Sequence, residues 1–151
     1  MTPAQRTAIA FETVQVGDAL PESTHGPLTL GDTVRWAAFQ ENWAALHIDR
    51  EHARTQLALP SFIASGGYRQ ALLLRGVCGW IGPDGQLLWL RLRQTYPTFE
   101  GDLMRFCGSV TEKSADPADP WVECQLEAEN QDGRQILTGT CRVRLARMQA
   151  R

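Results

Sequence analysis

The sequence has 151 residues, of which 43% are hydrophobic and 21% are charged, and its formal net charge is −2. This composition excludes a disordered chain, and the length predicts one domain spanning residues 1–151. The lack of a basic cluster argues against nucleic-acid binding. The lack of a long apolar stretch and of a signal-peptide pattern in residues 1–15 predicts a cytoplasmic protein that binds no membrane.

The first half of the chain alternates turns with helical patterns. A short strand is predicted at Phe11–Val16, followed by turns at residues 17–18 and 25–27. A helix is expected to begin within residues 29–32, with Asp32 as its cap, because apolar residues recur at helical spacing after it. Residues 42–49 predict a loop, and the next helix is expected at residues 50–58, with Asp49 as its cap.

A longer apolar helix follows Pro60. Ser61 is predicted to cap this helix, and the Gly-Pro-Asp-Gly run at residues 82–85 is predicted to end it. The helix should be largely buried, because its apolar residues recur at spacings of three and four: Phe62, Ile63, Gly66, Leu73, Leu74, Val77 and Ile81.

Four strands in a meander are predicted after Gly85, since apolar and polar residues alternate there. Residues 115–120 and 130–133 are predicted to be hairpin loops. The four cysteines form no Cys-x-x-Cys pair, so we expect free thiols and no metal site. The predicted fold class is α+β, an antiparallel β-sheet wrapped around a central α-helix.

One histidine and one glycine pair are candidates for chemistry on a carbonyl compound. His47, in the predicted loop, can move protons near neutral pH. Gly66 and Gly67 lie near the start of the buried helix, where amide groups can hold a developing oxyanion. The alternative interpretations remain open: His47 can be structural, and the two glycines can serve only close packing.

These residues lie in motifs similar to those of a known family. The run Asn42-Trp43-Ala44-Ala45-Leu46-His47-Ile48-Asp49 resembles the Asp-x-Asn-Pro-Leu/Ile-His-x-Asp loop of the MaoC-like branch of the hot-dog fold. Ile63-Ala64-Ser65-Gly66 is similar to its Ile-Ala-His-Gly element, and residues 96–102 resemble its Pro…Gly-Asp corner. The resemblance runs from Phe11 to about Leu145 and implies the hot-dog fold.

The resemblance implies hydration or dehydration of a 2-enoyl or 3-hydroxyacyl thioester in fatty acid metabolism. The thioester carrier would be coenzyme A or acyl carrier protein, and no cofactor is expected. The catalytic residues would be His47 as general base and Gly66 as oxyanion donor, with Ser65 and Gly67 binding substrate. Asn42 stands where the family has its catalytic Asp; an amide takes up no proton, but it can orient the water or the imidazole.

Two alternatives to a lyase follow from the same residues. A hot-dog thioesterase would use water to attack the thioester carbonyl, but residues 61–72 contain no carboxylate to assist. A non-catalytic subunit that binds acyl thioesters and pairs with a second chain would explain Asn42. For each of these three functions, we expect a homodimer or a larger dimer-based oligomer, or a heterodimer.

Overall fold

The computed structural model describes residues 9–148. The sequence argument against a signal peptide used residues 1–15, of which residues 1–8 lie outside the described residues. The chain begins with a 3₁₀ turn at Phe11–Thr13. The helices and strands then follow in the order β1 (Ser23–His25), α1 (Leu30–Gln40), α2 (Ala45–Ile48), α3 (Arg50–Leu57), α4 (Gly66–Ile81), β2 (Gln86–Gln94), β3 (Met104–Lys113), β4 (Trp121–Glu129) and β5 (Gln135–Arg144). Among the described residues, no helix is long and apolar enough to cross a membrane.

The strands form one antiparallel sheet with the order β1-β3-β4-β5-β2. Strands β3 to β5 form the predicted hairpins. The predicted four-strand meander is wrong for β2, which pairs with β5 and not with its neighbour in sequence. The connection at residues 95–103 therefore crosses from one side of the sheet to the other, and Thr98 on it accepts a hydrogen bond from the Ala64 amide at 2.8 Å.

The sheet packs on helix α4, as predicted. The buried positions of α4 recur at helical spacing and join the buried side of the sheet in one apolar core. This burial is the main favourable term for the fold, at about 25 cal/mol per Å² of apolar surface removed from water. The core members that lie on α4 are Leu72, Leu73, Val77 and Ile81.

Helix α4 begins later than predicted. Ser65 is the cap, since its Oγ accepts a hydrogen bond from the Tyr68 amide at 3.2 Å. Ser61 is not a cap, because its hydroxyl donates to Glu100 at 2.8 Å. Residues 61–65 stay outside the helix because Ile63 and Ala64 use their amides to bond neighbouring segments of the chain.

Three other local predictions need correction. Phe11–Val16 contains a 3₁₀ turn and no strand, and β1 lies where only a turn was expected. Thr29 caps α1, while Asp32 completes a capping box by accepting from the Thr29 amide at 2.9 Å. The predicted loop at residues 42–49 contains the short helix α2, whereas Asp49 caps α3 as predicted.

All four cysteines are free, as predicted. Cys124 and Cys141 are buried and face each other across β4 and β5. Cys107 is half-buried, and Cys78 is exposed on α4. Within the described part of the chain, no group of three potential metal-ligating residues is found.

Candidate active site

His47 is held in one orientation against the segment that precedes α4. Its Nδ1 lies 2.9 Å from the carbonyl oxygen of Ile63. A carbonyl oxygen only accepts hydrogen bonds, so Nδ1 carries a proton, and in the neutral imidazole Nε2 has the free lone pair. The amide of the same Ile63 donates to the Leu46 carbonyl at 3.2 Å. This double contact fixes helix α2 beside the start of α4 and gives His47 a basic nitrogen.

Three of the predicted site residues meet at one cavity. His47, Asn42 and Ser65 lie on the wall of a small cavity between α1, α2 and the start of α4. Among residues 9–148, no carboxylate side chain lines this cavity. The complete lining is Thr33, Trp36, Ala37, Asn42, His47, Ser65 and Tyr68.

Asn42 is positioned by the end of helix α1. Glu41 adopts a left-handed conformation with φ 53°, which turns the chain so that the Asn42 amide donates to the Ala37 carbonyl at 3.0 Å. Its side-chain Oδ1 accepts weakly from the Ala44 amide at 3.4 Å. Its Nδ2 bonds no residue in the described range, so it can donate to a ligand. Glu41 is exposed and does not line the cavity, so it does not replace the missing carboxylate.

Gly66 and Gly67 are the first two residues of α4, directly after Ser65. Neither lines the cavity. Their amide hydrogens have no partner among residues 9–148, as expected at the first turn of a helix. A Cβ at Gly66 would meet Gln94 at an ordinary 3.5 Å, whereas one at Gly67 would meet Gln40 at a tight 3.1 Å. A side chain at Gly67 would have to displace the end of the exposed Gln40 side chain, whereas one at Gly66 would fit without such a shift.

The sequence did not predict the role of Arg69, which is buried on the first turn of α4 with 5% of its surface exposed. Its Nη1 donates to the carbonyl oxygens of Tyr96 at 2.6 Å and Ile136 at 3.3 Å. Burial lowers the pKa of Arg69, and no carboxylate of residues 9–148 pairs with it. Arg69 thus anchors residues 95–103 to α4 and places an unpaired positive charge near its start, which favours an anion there.

Glu100 ties α3 to the segment that precedes α4. Its carboxylate accepts hydrogen bonds from Arg50, including one from Nε at 2.7 Å, and from the Ser61 hydroxyl at 2.8 Å. The Arg50 hydrogen bonds, aided by Ser61, lower the pKa of Glu100 to about 2. Glu100 lies outside the cavity lining, so it supports the site without supplying its carboxylate.

Four lining residues were not predicted as site residues: Thr33, Trp36, Ala37 and Tyr68. The first three share one face of α1, at spacings of three and four residues. That spacing is the sequence pattern that could have identified them, but the same pattern also fits a core face. Only the packing of α1 against the start of α4 shows that this face borders a cavity.

A second cavity, of about 290 Å³, lies between α4 and β3. Its lining is largely apolar, and Ser23 and Cys107 are its polar side chains. Burial raises the pKa of the Cys107 thiol, which makes it a poorer nucleophile. This second cavity is therefore less suited to proton transfer than the His47 cavity.

Comparisons with known proteins agree with the fold described above. No protein-family model matches the sequence, and no curated protein matches it. The solved structures include many similar chains. The (R)-hydratase PhaJ1 from Pseudomonas aeruginosa is 25% identical with a TM-score of 0.82, over 93% of this chain and 88% of that one.

Two further structures extend the comparison. A MaoC-like dehydratase is 28% identical with a TM-score of 0.82, over 92% of this chain and 43% of that one. The ChsH1–ChsH2 complex from Mycobacterium tuberculosis contains a chain that is 25% identical with a TM-score of 0.76, over 88% of this chain and 98% of that one. The predicted resemblance is confirmed: the chain has the α+β hot-dog fold of the MaoC-like dehydratases and (R)-hydratases.

Proposed function

We propose that this chain, which shares its fold with MaoC-like dehydratases and (R)-hydratases, hydrates a 2-enoyl thioester or dehydrates the 3-hydroxyacyl thioester. One observation carries the proposal. His47, the only imidazole that lines the cavity among the described residues, is held through its Nδ1 and shares the cavity wall with Asn42 and with Ser65, the residue that precedes the unpartnered first amides of α4. A base and an oxyanion donor are the groups that addition of water to a conjugated thioester requires.

The hydration uses these groups in sequence. Nε2 of His47 takes a proton from water as the water oxygen bonds to C3 of the enoyl chain. The electrons of the C2–C3 double bond move towards the thioester oxygen, where the Gly66 amide stabilises the negative charge. The protonated His47 then returns the proton to C2, which restores the thioester carbonyl. Dehydration is the same path in reverse, and neither direction needs a cofactor or a metal ion.

Asn42 sets the limits of this mechanism. Its Nδ2 can hold the oxygen of the attacking water, but an amide transfers no proton, so His47 acts alone. Ser65 lines the cavity and directly precedes Gly66 and Gly67, whose two amides we assign as the oxyanion donors. We therefore expect a real but modest rate.

A partner-subunit function is the second candidate. Two observations favour it: Asn42 has replaced the carboxylate, and a chain of the ChsH1–ChsH2 complex is among the similar structures. In that case the chain would bind the acyl thioester, and a second chain would supply the carboxylate. A thioesterase is favoured less, because no carboxylate of residues 9–148 lines the cavity.

We also propose a dimeric assembly in the cytoplasm. Strands β1 and β2 form the two edges of the sheet, and β2 offers an edge of nine residues. An exposed edge of this length favours pairing with another chain. Light scattering at micromolar concentration tests this proposal, and a monomer would contradict it.

An activity screen separates the candidate functions. Purified protein is assayed with crotonyl-coenzyme A, as an enoyl thioester, and with butyryl-coenzyme A, as a saturated one. A hydratase consumes the first and leaves the second intact. A thioesterase releases free coenzyme A from the saturated thioester. Failure to react with either, with binding retained, supports the partner subunit.

A further inference from the structure

A buried hydrogen-bond donor at the His47 cavity lacks a partner. Nε1 of Trp36, an indole N–H on α1, is buried and makes no hydrogen bond within residues 9–148. Leaving such a donor unsatisfied is unfavourable, so native proteins rarely do so without a reason. Because Trp36 lines the cavity, a bound ligand is a natural source of the missing acceptor.

Tyr68 lies next to this donor. Its ring centroid is 5.7 Å from that of Trp36, and both side chains line the cavity. Burial raises the pKa of Tyr68, which keeps its hydroxyl protonated, and this hydroxyl also makes no hydrogen bond in the described part of the chain. The cavity is thus bordered by two neighbouring aromatic side chains that each carry a polar hydrogen.

Two considerations identify the atom that these donors bind. The thioester oxygen is already assigned to the amides at the start of α4, so a donor on α1 serves another oxygen. The proposed function places the acyl group beside His47, on the same cavity as Trp36, so that oxygen belongs to the acyl chain.

We infer that the Trp36 indole N–H, assisted by Tyr68, selects acyl thioesters that carry a hydrogen-bond-accepting oxygen on the acyl chain. This inference rests on the proposed function, because it assumes that the His47 cavity holds an acyl group. A purely hydrocarbon chain would leave the N–H unsatisfied, and sites that bind polar groups discriminate against ligands lacking them.

The test compares binding of ether and hydrocarbon thioesters of equal length. The pairs are methoxyacetyl- with butyryl-coenzyme A, and 3-methoxypropionyl- with valeryl-coenzyme A, measured by calorimetry. None of these saturated chains can be hydrated. Wild-type protein is compared with Trp36→Phe, which keeps the aromatic wall and removes the N–H. Trp121→Phe, on the outer face of the sheet beneath Arg142, is the matched control.

The quantity compared is the ratio of the affinity for an ether thioester to the affinity for its hydrocarbon partner. For at least one pair, we expect this ratio to be about tenfold higher in wild-type protein and in Trp121→Phe than in Trp36→Phe, which is the value of one hydrogen bond. Equal ratios in wild type and Trp36→Phe overturn the inference, as expected if the N–H only faces the Tyr68 ring. Failure of wild type to bind any of the four thioesters also overturns it.

Turnover of crotonyl-coenzyme A by wild-type protein is measured separately. Turnover without ether selectivity leaves the proposed function standing and removes the Trp36 inference. Selectivity without turnover removes crotonyl-coenzyme A as a substrate and leaves Trp36 as a determinant of acyl binding.

Discussion

Replacing Gly66 by proline should remove the proposed oxyanion donor while preserving the helix. Gly66 is the first residue of α4, a position where proline is favoured because its amide is not used within the helix. Ser65 has φ −65° and ψ 151°, the extended conformation that a residue before proline adopts. A Cβ at this position meets only the Gln94 side chain, at 3.5 Å or more. The position therefore has room for the proline Cβ and the backbone conformation that proline needs before it.

The expected loss follows from the value of one oxyanion donor. Gly66→Pro should lower kcat by about 10²–10³-fold, or roughly 2.7–4 kcal/mol in transition-state stabilisation. Gly66→Ala keeps the amide and makes the same contact with Gln94, so it is the matched control and should retain most of the rate. The assay is the loss of the ultraviolet absorbance of crotonyl-coenzyme A, with thermal unfolding as the check on folding.

Two results would refute this reasoning. Wild-type activity in a folded Gly66→Pro protein would show that the amide does not stabilise the transition state. Equal losses in Gly66→Ala and Gly66→Pro would show that the space at Gly66, and not its N–H, matters.

The remaining predictions concern His47, Asn42, Glu100 and the cysteines. His47→Asn, which can keep the hydrogen bond to Ile63, and His47→Ala should each lower the hydration rate about 10²–10⁴-fold. A near-wild-type rate in either folded variant would remove His47 from the mechanism. Asn42→Asp should preserve or raise the hydration rate, because it adds an acid for protonation of C2. If wild type and Asn42→Asp are both inactive on crotonyl, octenoyl and mesaconyl thioesters, the partner-subunit function is favoured. The stabilisation from Glu100 should be complete above its ordinary pKa of 4.5 and should fall as pH drops towards about 2. The difference in unfolding free energy between wild type and Glu100→Gln should therefore be larger at pH 6 than at pH 3. A difference that stays constant with pH would contradict this assignment. A thiol reagent should label Cys78 rapidly in the native protein, Cys107 more slowly, and the other two only on unfolding, whereas four equally fast thiols would contradict the burial described.

The parts of the fold that depend on local pattern were predictable from the sequence. The buried face of α4 and the strands β3 to β5 follow from spacings of three, four and two residues. The cap at Asp49 follows from its position directly before a helical pattern. In each case, the residues that determine the element lie within it or beside it.

Several of the predictions that failed depend on distant contacts. Ser61 and Ser65 are equally suitable caps by sequence, but Leu46 and Thr98 hold residues 63–64 outside the helix, and both lie far from them in the chain. The pairing of β2 with β5 is likewise non-local. Trp36 had an apolar pattern like that of a core residue, and only the packing of α1 against the start of α4 shows that it borders the cavity.

The most direct test of the proposed hydration is the fate of oxygen from labelled water. Wild-type protein is incubated with crotonyl-coenzyme A in water enriched in oxygen-18, and the products are examined by mass spectrometry. The mechanism at His47 predicts the label on C3 of an intact 3-hydroxybutyryl thioester, and no labelled thioester with His47→Asn. Label in the carboxylate of free crotonate would show thioester hydrolysis, and unlabelled crotonyl-coenzyme A after prolonged incubation would show that the chain does not hydrate this substrate; either result would contradict the account.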